Sequence, residues 1–318
     1  MKVLANDGIS ASGKEKLEAN GFTVVTENVP QDKLIETINS EGYEVLLVRS
    51  ATTARKDLID ACKGLKMIGR GGVGMDNIDV AYGRENGLVV FNTTPSSSMA
   101  VPALVLPLMF AISRAIYDSN RKMPGSGTTA FKVLTTKYGN GFELIGKTIG
   151  LFGLASIGQF TAKYALGCGM KVIASDPFVE TATIPVEVAD QTVEVNIKTQ
   201  SMDSVLAEAD FISLHIPMPA DKKAVISTSE FAKMKDGAFI INAARGGVID
   251  EDALITALDS GKIAAAGLDV FVGEPAPRAD ILSHAKIACT PHIGAATLEA
   301  QDRIGTELAD NIIEFYKK

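Results

Sequence analysis

An arginine, a glutamate and a histidine each sit in a short polar loop directly behind an apolar run. Arg245 lies in NAARGG (242–247) after FII, Glu274 in DVFVGEP (269–275) after AAAGL, and His292 in TPHIG (290–294) after KIAC. A guanidinium can grip a carboxylate or carbonyl oxygen through two parallel hydrogen bonds. An imidazole can pass a proton to an oxygen, a contribution of roughly 10²–10⁴-fold. A carboxylate bonded to that imidazole fixes its tautomer and favours its charged form. Together the three suit hydride chemistry on a 2-hydroxy or 2-keto acid. Singly, each has a plainer role: His292 filling a core, Arg245 bonding loop carbonyls, Glu274 shaping the turn before Pro275. Position joins them. In an open parallel sheet ligands bind outside the carboxyl ends of the strands, and all three loops leave strands at that end.

The source of a hydride acceptor is written at 147–176, KTIGLFGLASIGQFTAKYALGCGMKVIASD. Residues 148–152 read as a buried strand and Gly153-Leu154-Ala155-Ser156-Ile157-Gly158 as a glycine turn. Ile157, Phe160, Thr161, Tyr164, Ala165 and Cys168 then repeat at helical spacing. A second strand over 171–175 ends at Asp176. Strand, glycine turn, helix, strand and acid make a dinucleotide-binding βαβ unit. Gly153 permits the sharp turn, the helix N-terminus offers N–H groups and partial positive charge to a pyrophosphate, and Gly158 lets the helix lie close. Ala155 stands at the middle glycine position, where its methyl crowds the pyrophosphate. Asp176 can accept from both adenosine ribose hydroxyls and would repel a 2′-phosphate, which favours NAD over NADP. Asp269 can accept the nicotinamide carboxamide N–H and so choose the ring face presented.

The surrounding sequence alternates strand and helix, as a parallel α/β sheet requires. Strands are predicted at 2–6, 23–26, 44–48, 65–69 and 88–91, with helices at 32–39 and 56–63. Ser12 to Glu15 has the spacing of a capping box for a helix that stops at Gly21. Asp76 to Asp79 reads as helix capping. A single apolar helix is expected over 97–116 and a basic surface loop over 124–141. Beyond Asp176 come a weak strand near 192–197, strands at 211–215, 238–242, 264–268 and 286–289, helices at 202–208, 229–234 and 251–259, and a final amphipathic helix over 297–316. The alternation occurs twice, which suggests two similar lobes with a cleft between them. His215 ends a strand and could either fill the structure or face the cleft, and His284 reads as a solvated surface residue.

A chain of 318 residues suggests roughly two domains. Its net charge of −7 argues against nucleic acid or an anionic membrane as main partner. Three scattered cysteines without a CxxC pair read as reduced cytosolic thiols, with no metal site and no disulfide frame. The first ten residues hold too short an apolar run for a signal peptide, and the apolar stretch over 100–112 is too short to span a bilayer. A cytoplasmic protein is expected.

NAARGGVIDEDAL, GLDVFVGEP and TPHIGAAT resemble the signature blocks of the D-isomer-specific 2-hydroxyacid dehydrogenases, and GRGGVGMDNID (69–79) and ELIGKTIGLFG (143–153) resemble the same family. The similarity covers essentially the whole chain and is strongest to the branch that oxidises 3-phosphoglycerate. It implies an α/β fold of two Rossmann-like lobes. The NAD-binding lobe, 97–296, is inserted into a flavodoxin-like substrate lobe, 1–96 plus 297–318, which closes on it. The resemblance makes Arg245, Glu274 and His292 catalytic. It places Gly153, Ala155, Ser156, Ile157, Gly158, Asp176, Asp269 and the Ala243–Ala244 backbone against NAD, with Val73 near the nicotinamide. The backbone N–H groups of Gly72 and Val73 would hold the substrate carboxylate, and Arg49 would meet a substrate phosphate. It also implies a homodimer with the 124–141 segment near the partner, and no serine feedback, for want of the C-terminal regulatory domain of longer relatives. Ala103 replaces an expected acid in NTTPSSSMAVPAL. The alternatives are a glyoxylate or hydroxypyruvate reductase and a non-catalytic NAD-sensing scaffold; formate dehydrogenases pair their histidine with glutamine, and here the residue is Glu274.

Overall fold

The computed structural model describes residues 1–317, and its contacts divide the chain into two units, 1–100 with 295–318 and 101–294. The first unit opens with β1 (Lys2–Ala5), α1 (Ala11–Ala19), β2 (Thr23–Val25), α2 (Leu34–Glu41) and β3 (Val45–Val48). It continues through α3 (Lys56–Ala61), β4 (Met67–Arg70), α4 (Val80–Glu85), β5 (Val89–Asn92) and the short α5 (Thr94–Ser97). All strands pair in parallel in the order β2-β1-β3-β4-β5, the flavodoxin-like winding. The run VLLV at β3 is buried at every position because both faces of its sheet are covered.

Two helices open the second unit. The apolar stretch breaks where Ala115 takes a left-handed backbone, so α6 (Ala100–Ser113) and α7 (Ile116–Tyr138) replace the single helix expected over 97–116. The predicted 124–141 loop is mostly helix. α7 is bent at Ala130, and the Asp118 carboxylate accepts from Lys137 Nζ at 2.9 Å and Tyr138 OH at 2.6 Å. Residues that far apart on a straight helix would be separated by nearly 30 Å at 1.5 Å per residue, so the two arms fold back on one another.

The second unit then runs β6 (Thr148–Phe152), α8 (Ser156–Gly167), β7 (Lys171–Ser175), β8 (Thr181–Val188), β9 (Gln191–Lys198), α9 (Met202–Glu208) and β10 (Phe211–Leu214). After these come α10 (Thr228–Lys233), β11 (Ala238–Asn242), α11 (Glu251–Asp259), β12 (Ile263–Leu268), α12 (Ala279–Ser283) and β13 (Ile287–Cys289). Six parallel strands pair as β13-β12-β11-β10-β6-β7, with apolar clusters on both faces. The order reverses between β6 and β10, which is where an open α/β sheet binds its ligand. β8 and β9 form a separate antiparallel hairpin, of which the sequence reading found only the second strand.

The chain closes with α13 (Leu298–Lys317) in the first unit. Ile304, Leu308, Ala309 and Ile312 pack there with Val3, Ala5 and Leu17. Helices α1 and α13 cross at glycines: a Cβ on Gly13 would lie 2.4 Å from the Gly305 carbonyl oxygen. The N-cap of α1 is Ser10, whose hydroxyl accepts from Gly13 N–H, two residues ahead of the expected capping box.

Candidate active site

Strands β11, β12 and β13 pair in register at their carboxyl ends, Asn242 opposite Leu268 and Leu268 opposite Cys289. The three polar loops therefore start side by side, at spacings of about 4.8 Å. The arginine loop is caged by Asn242, a buried side chain to which the sequence reading gave no role. Its Nδ2 donates to the Arg245 carbonyl at 2.9 Å, and its Oδ1 accepts from Ala244 N–H at 3.0 Å. The Arg245 guanidinium donates to the Ala244 carbonyl at 2.6 Å.

Glu274 and His292 meet. The imidazole Nδ1 lies 2.7 Å from Glu274 Oε2, while Oε1 accepts from Phe271 N–H at 2.8 Å. With Nδ1–H donating to the carboxylate, the neutral ring presents a bare Nε2 that can take a proton. His292 adopts φ 53°, a conformation costly for a residue with a Cβ. Asp269 holds it there. This fully buried carboxylate accepts from Thr290 Oγ1 at 2.6 Å, Ile293 N–H at 2.8 Å and Gly294 N–H at 2.8 Å, so it grips the histidine loop on both sides.

The β6–α8 turn fits a dinucleotide. Gly153 has φ 94°, and a Cβ on Gly158 would lie 2.1 Å from the Gly153 carbonyl oxygen. Ala155 caps α8 without a side-chain acceptor, leaving the first-turn N–H groups of Ser156 and Ile157 to an external anion. Ala155 is extended, at φ −72° and ψ −168°, so its methyl strains nothing in the backbone. Asp176 Oδ2 accepts from Leu154 N–H at 2.7 Å and Oδ1 from Phe178 N–H at 2.8 Å, orienting a carboxylate with lone pairs to spare for ribose hydroxyls. His215 closes the floor, since a Cβ on Gly153 would lie 2.5 Å from the His215 carbonyl oxygen. Its Nε2 pairs with Ser213 Oγ at 3.1 Å, and burial pushes its pKa down to about 3, so it is a neutral filler.

In the first unit, Asp7 accepts from Arg49 N–H at 2.6 Å and Thr52 N–H at 3.0 Å, and Asn77 Nδ2 donates to the Arg49 and Thr52 carbonyls at 2.8 and 2.6 Å. The Arg49 side chain lines a cavity of about 200 Å³ with Asp7, Ser10, Gly71 and Gln301. Asn77 thus pins a loop, and Asp79 gives no side-chain cap to its own helix α4 but bonds Arg55 and accepts from Lys56 N–H, the first residue of α3, so the capping expected at 76–79 falls on a different helix. The Gly72 N–H is not free for a substrate carboxylate. It donates to Thr93 Oγ1 at 2.8 Å, because β5 brings that hydroxyl beside the end of β4. His284, expected in solvent, is mostly covered and sits 3.2 Å from Asp259.

Comparison with known proteins gives the lineage. The family described as "D-isomer specific 2-hydroxyacid dehydrogenase, NAD binding domain" matches residues 106–294, nearly all of the second unit. The chain belongs to the D-isomer-specific 2-hydroxyacid dehydrogenases. Its cofactor is accordingly NAD. A hydroxypyruvate reductase of Thermotoga maritima is 43% identical over 304 residues, covering 95% of this chain and 92% of that protein. A D-3-phosphoglycerate dehydrogenase of Methanocaldococcus jannaschii is 39% identical over 98% of this chain but only 57% of its own length. This 2-hydroxyacid dehydrogenase chain thus spans little more than half of such longer relatives. A glyoxylate reductase structure from Paecilomyes thermophila superposes with a TM-score of 0.82 at 30% identity, covering 100% of this chain and 95% of that one.

Among the described residues no single helix is long and apolar enough to cross a membrane.

Proposed function

We propose that this chain oxidises a D-2-hydroxy acid, most specifically 3-phosphoglycerate to 3-phosphohydroxypyruvate, with His292 as the proton acceptor. The observation that carries the reading is the 2.7 Å contact between His292 Nδ1 and Glu274. Bound NAD supplies the hydride acceptor at its nicotinamide ring. The protein's own part is to hold the substrate carboxylate with Arg245 and the Val73 N–H, and to take the C2 hydroxyl proton on His292 Nε2. Glu274 balances the imidazolium so formed. Asp176 would hold the adenosine ribose, Asp269 keeps the His292 loop in place with both of its oxygens rather than offering one to the carboxamide, and Arg49 offers a guanidinium to a phosphate. In the reverse direction the same imidazole returns the proton.

A second reading, reduction of hydroxypyruvate or glyoxylate, is favoured by the 43% identity over 92% of the Thermotoga relative. The unpaired thiols Cys62, Cys168 and Cys289 fit a cytoplasmic setting. A homodimer would cover α7, whose side chains are nowhere buried. Absorbance at 340 nm with NAD and a panel of D-hydroxy acids tests the reaction. Arg49→Ala should raise KM for 3-phosphoglycerate and leave KM for D-glycerate unchanged; equal effects would select the phosphate-free reading. NAD binding with no turnover on any acid would select a sensing scaffold.

A further inference from the structure

The loop that carries Glu274 is held from behind by a residue outside the arginine–glutamate–histidine set. Glu251 opens α11, eight-hundredths exposed, and its Oε1 accepts from Val272 N–H at 2.8 Å. The neighbouring N–H, that of Phe271, is the one that donates to Glu274 at 2.8 Å. Two successive backbone N–H groups therefore take two carboxylates, one from the helix behind and one from the site in front. Gly246, next to Arg245, presses on the same peptide: a Cβ there would lie 2.0 Å from the Phe271 carbonyl oxygen.

Helix capping does not explain Glu251. Asp250 already does that work, accepting from Asp252 and Ala253 N–H at 3.0 Å. Nor does stability explain it well, because Glu251 Oε2 is buried with no hydrogen-bond partner among the described residues. A buried polar atom left without a partner costs about 1–3 kcal/mol, more when charged. We propose that Glu251 is a positioning residue, which fixes the 271–272 peptide so that Glu274 presents Oε2 to His292 and holds the proton of the neutral ring on Nδ1.

The proposal rests on the reading of Glu274 and His292 as the proton-transfer pair, so its test uses a readout separate from turnover. The chain has three histidines, and their imidazole ¹⁵N shifts can be assigned in the full protein labelled at histidine. In the native protein the neutral His292 ring should carry its proton on Nδ1. Glu251→Ala should move the proton toward Nε2, as Glu274→Ala should. Glu251→Met, of similar volume and without the acceptor, should do the same if alanine impairs folding. Glu251→Gln keeps an oxygen for Val272 N–H and should keep the native tautomer. With substrate, Glu251→Ala should lower kcat about 10²-fold, the scale of a small misplacement, with KM for NAD unchanged. A proton that stays on Nδ1 in Glu251→Ala and Glu251→Met, or leaves it equally in Glu251→Gln, overturns the positioning role. Absence of turnover in the native protein would sink the proposed reaction and leave the tautomer result standing.

Discussion

His292 pays a backbone cost to stand where it does, at φ 53° between Pro291 and a loop clamped by Asp269. Removing the imidazole and removing the strain are separable. His292→Ala and His292→Gly should both lose about 10²–10⁴-fold in kcat while binding NAD normally by fluorescence titration. Glycine should be the more stable of the two by about 1 kcal/mol in denaturant unfolding, because it adopts a left-handed backbone without a Cβ penalty. A glycine variant no more stable than alanine would show the strain to be relaxed in solution. At this scale the adjacency of the three polar loops was legible, because each follows an apolar run that ends at a strand's carboxyl edge. The occupancy of Gly72 N–H by Thr93 was not, since those residues meet only when β5 pairs with β4. Asn242 was visible at the end of FIIN, but its caging of the arginine loop depends on a turn geometry that sequence does not display.

Among the elements, α7 and β8 escaped the sequence reading for opposite reasons. α7 buries no side chain, so the 3.6-residue apolar repeat that announces a helix is missing, and Pro124 with two nearby glycines reads as a turn. β8 does alternate, but Pro185 argues against a strand. A two-stranded hairpin tolerates it because both strands are edges. The fold-back of α7 is clasped by Asp118, whose carboxyl is held below its usual range by hydrogen bonds from Lys137 and Tyr138. A carboxylate with a lowered folded pKa stabilises above its unfolded value, near 3.9, and loses that contribution as pH falls below it. The melting-temperature gap between native protein and Asp118→Asn should therefore be open at pH 7 and begin to narrow below about pH 4. A gap that does not narrow at all as pH falls below that value would assign the effect to packing. The gap should be small throughout, since an exposed pair contributes about 0–1 kcal/mol.

Taken whole, the chain leaves apolar side chains of α7 in water: Phe131 is 63% and Val133 68% exposed. Patches of this kind mark association surfaces. If the proposed homodimer forms on this face, the paired change Phe131→Glu with Val133→Glu should halve the mass measured by sedimentation equilibrium, with secondary structure intact by circular dichroism. An unchanged mass would mean that the second copy docks elsewhere or is absent. Within the first unit, Gly13 and Gly305 let α1 and α13 touch backbone to backbone. Gly305→Ala should cost about 1–3 kcal/mol in denaturant unfolding, the usual penalty for overfilling a close contact. A loss below that would mean that Ser10, the nearest group, moves aside. The parallel winding of both sheets was legible from the strand–helix alternation, whereas the glycine crossing of the first and last helices was not, because nothing local in either helix names its partner.

The split make-up of the first unit bears on the order in which the polypeptide matures on the ribosome. Residues 101–294 form one uninterrupted stretch, so the nucleotide-binding part can complete its interior as soon as it emerges. The opening hundred residues must wait with Val3, Ala5 and Leu17 uncovered until α13 is synthesised. A nascent chain stalled after residue 294 should hold a protease-resistant second unit and a protease-sensitive beginning.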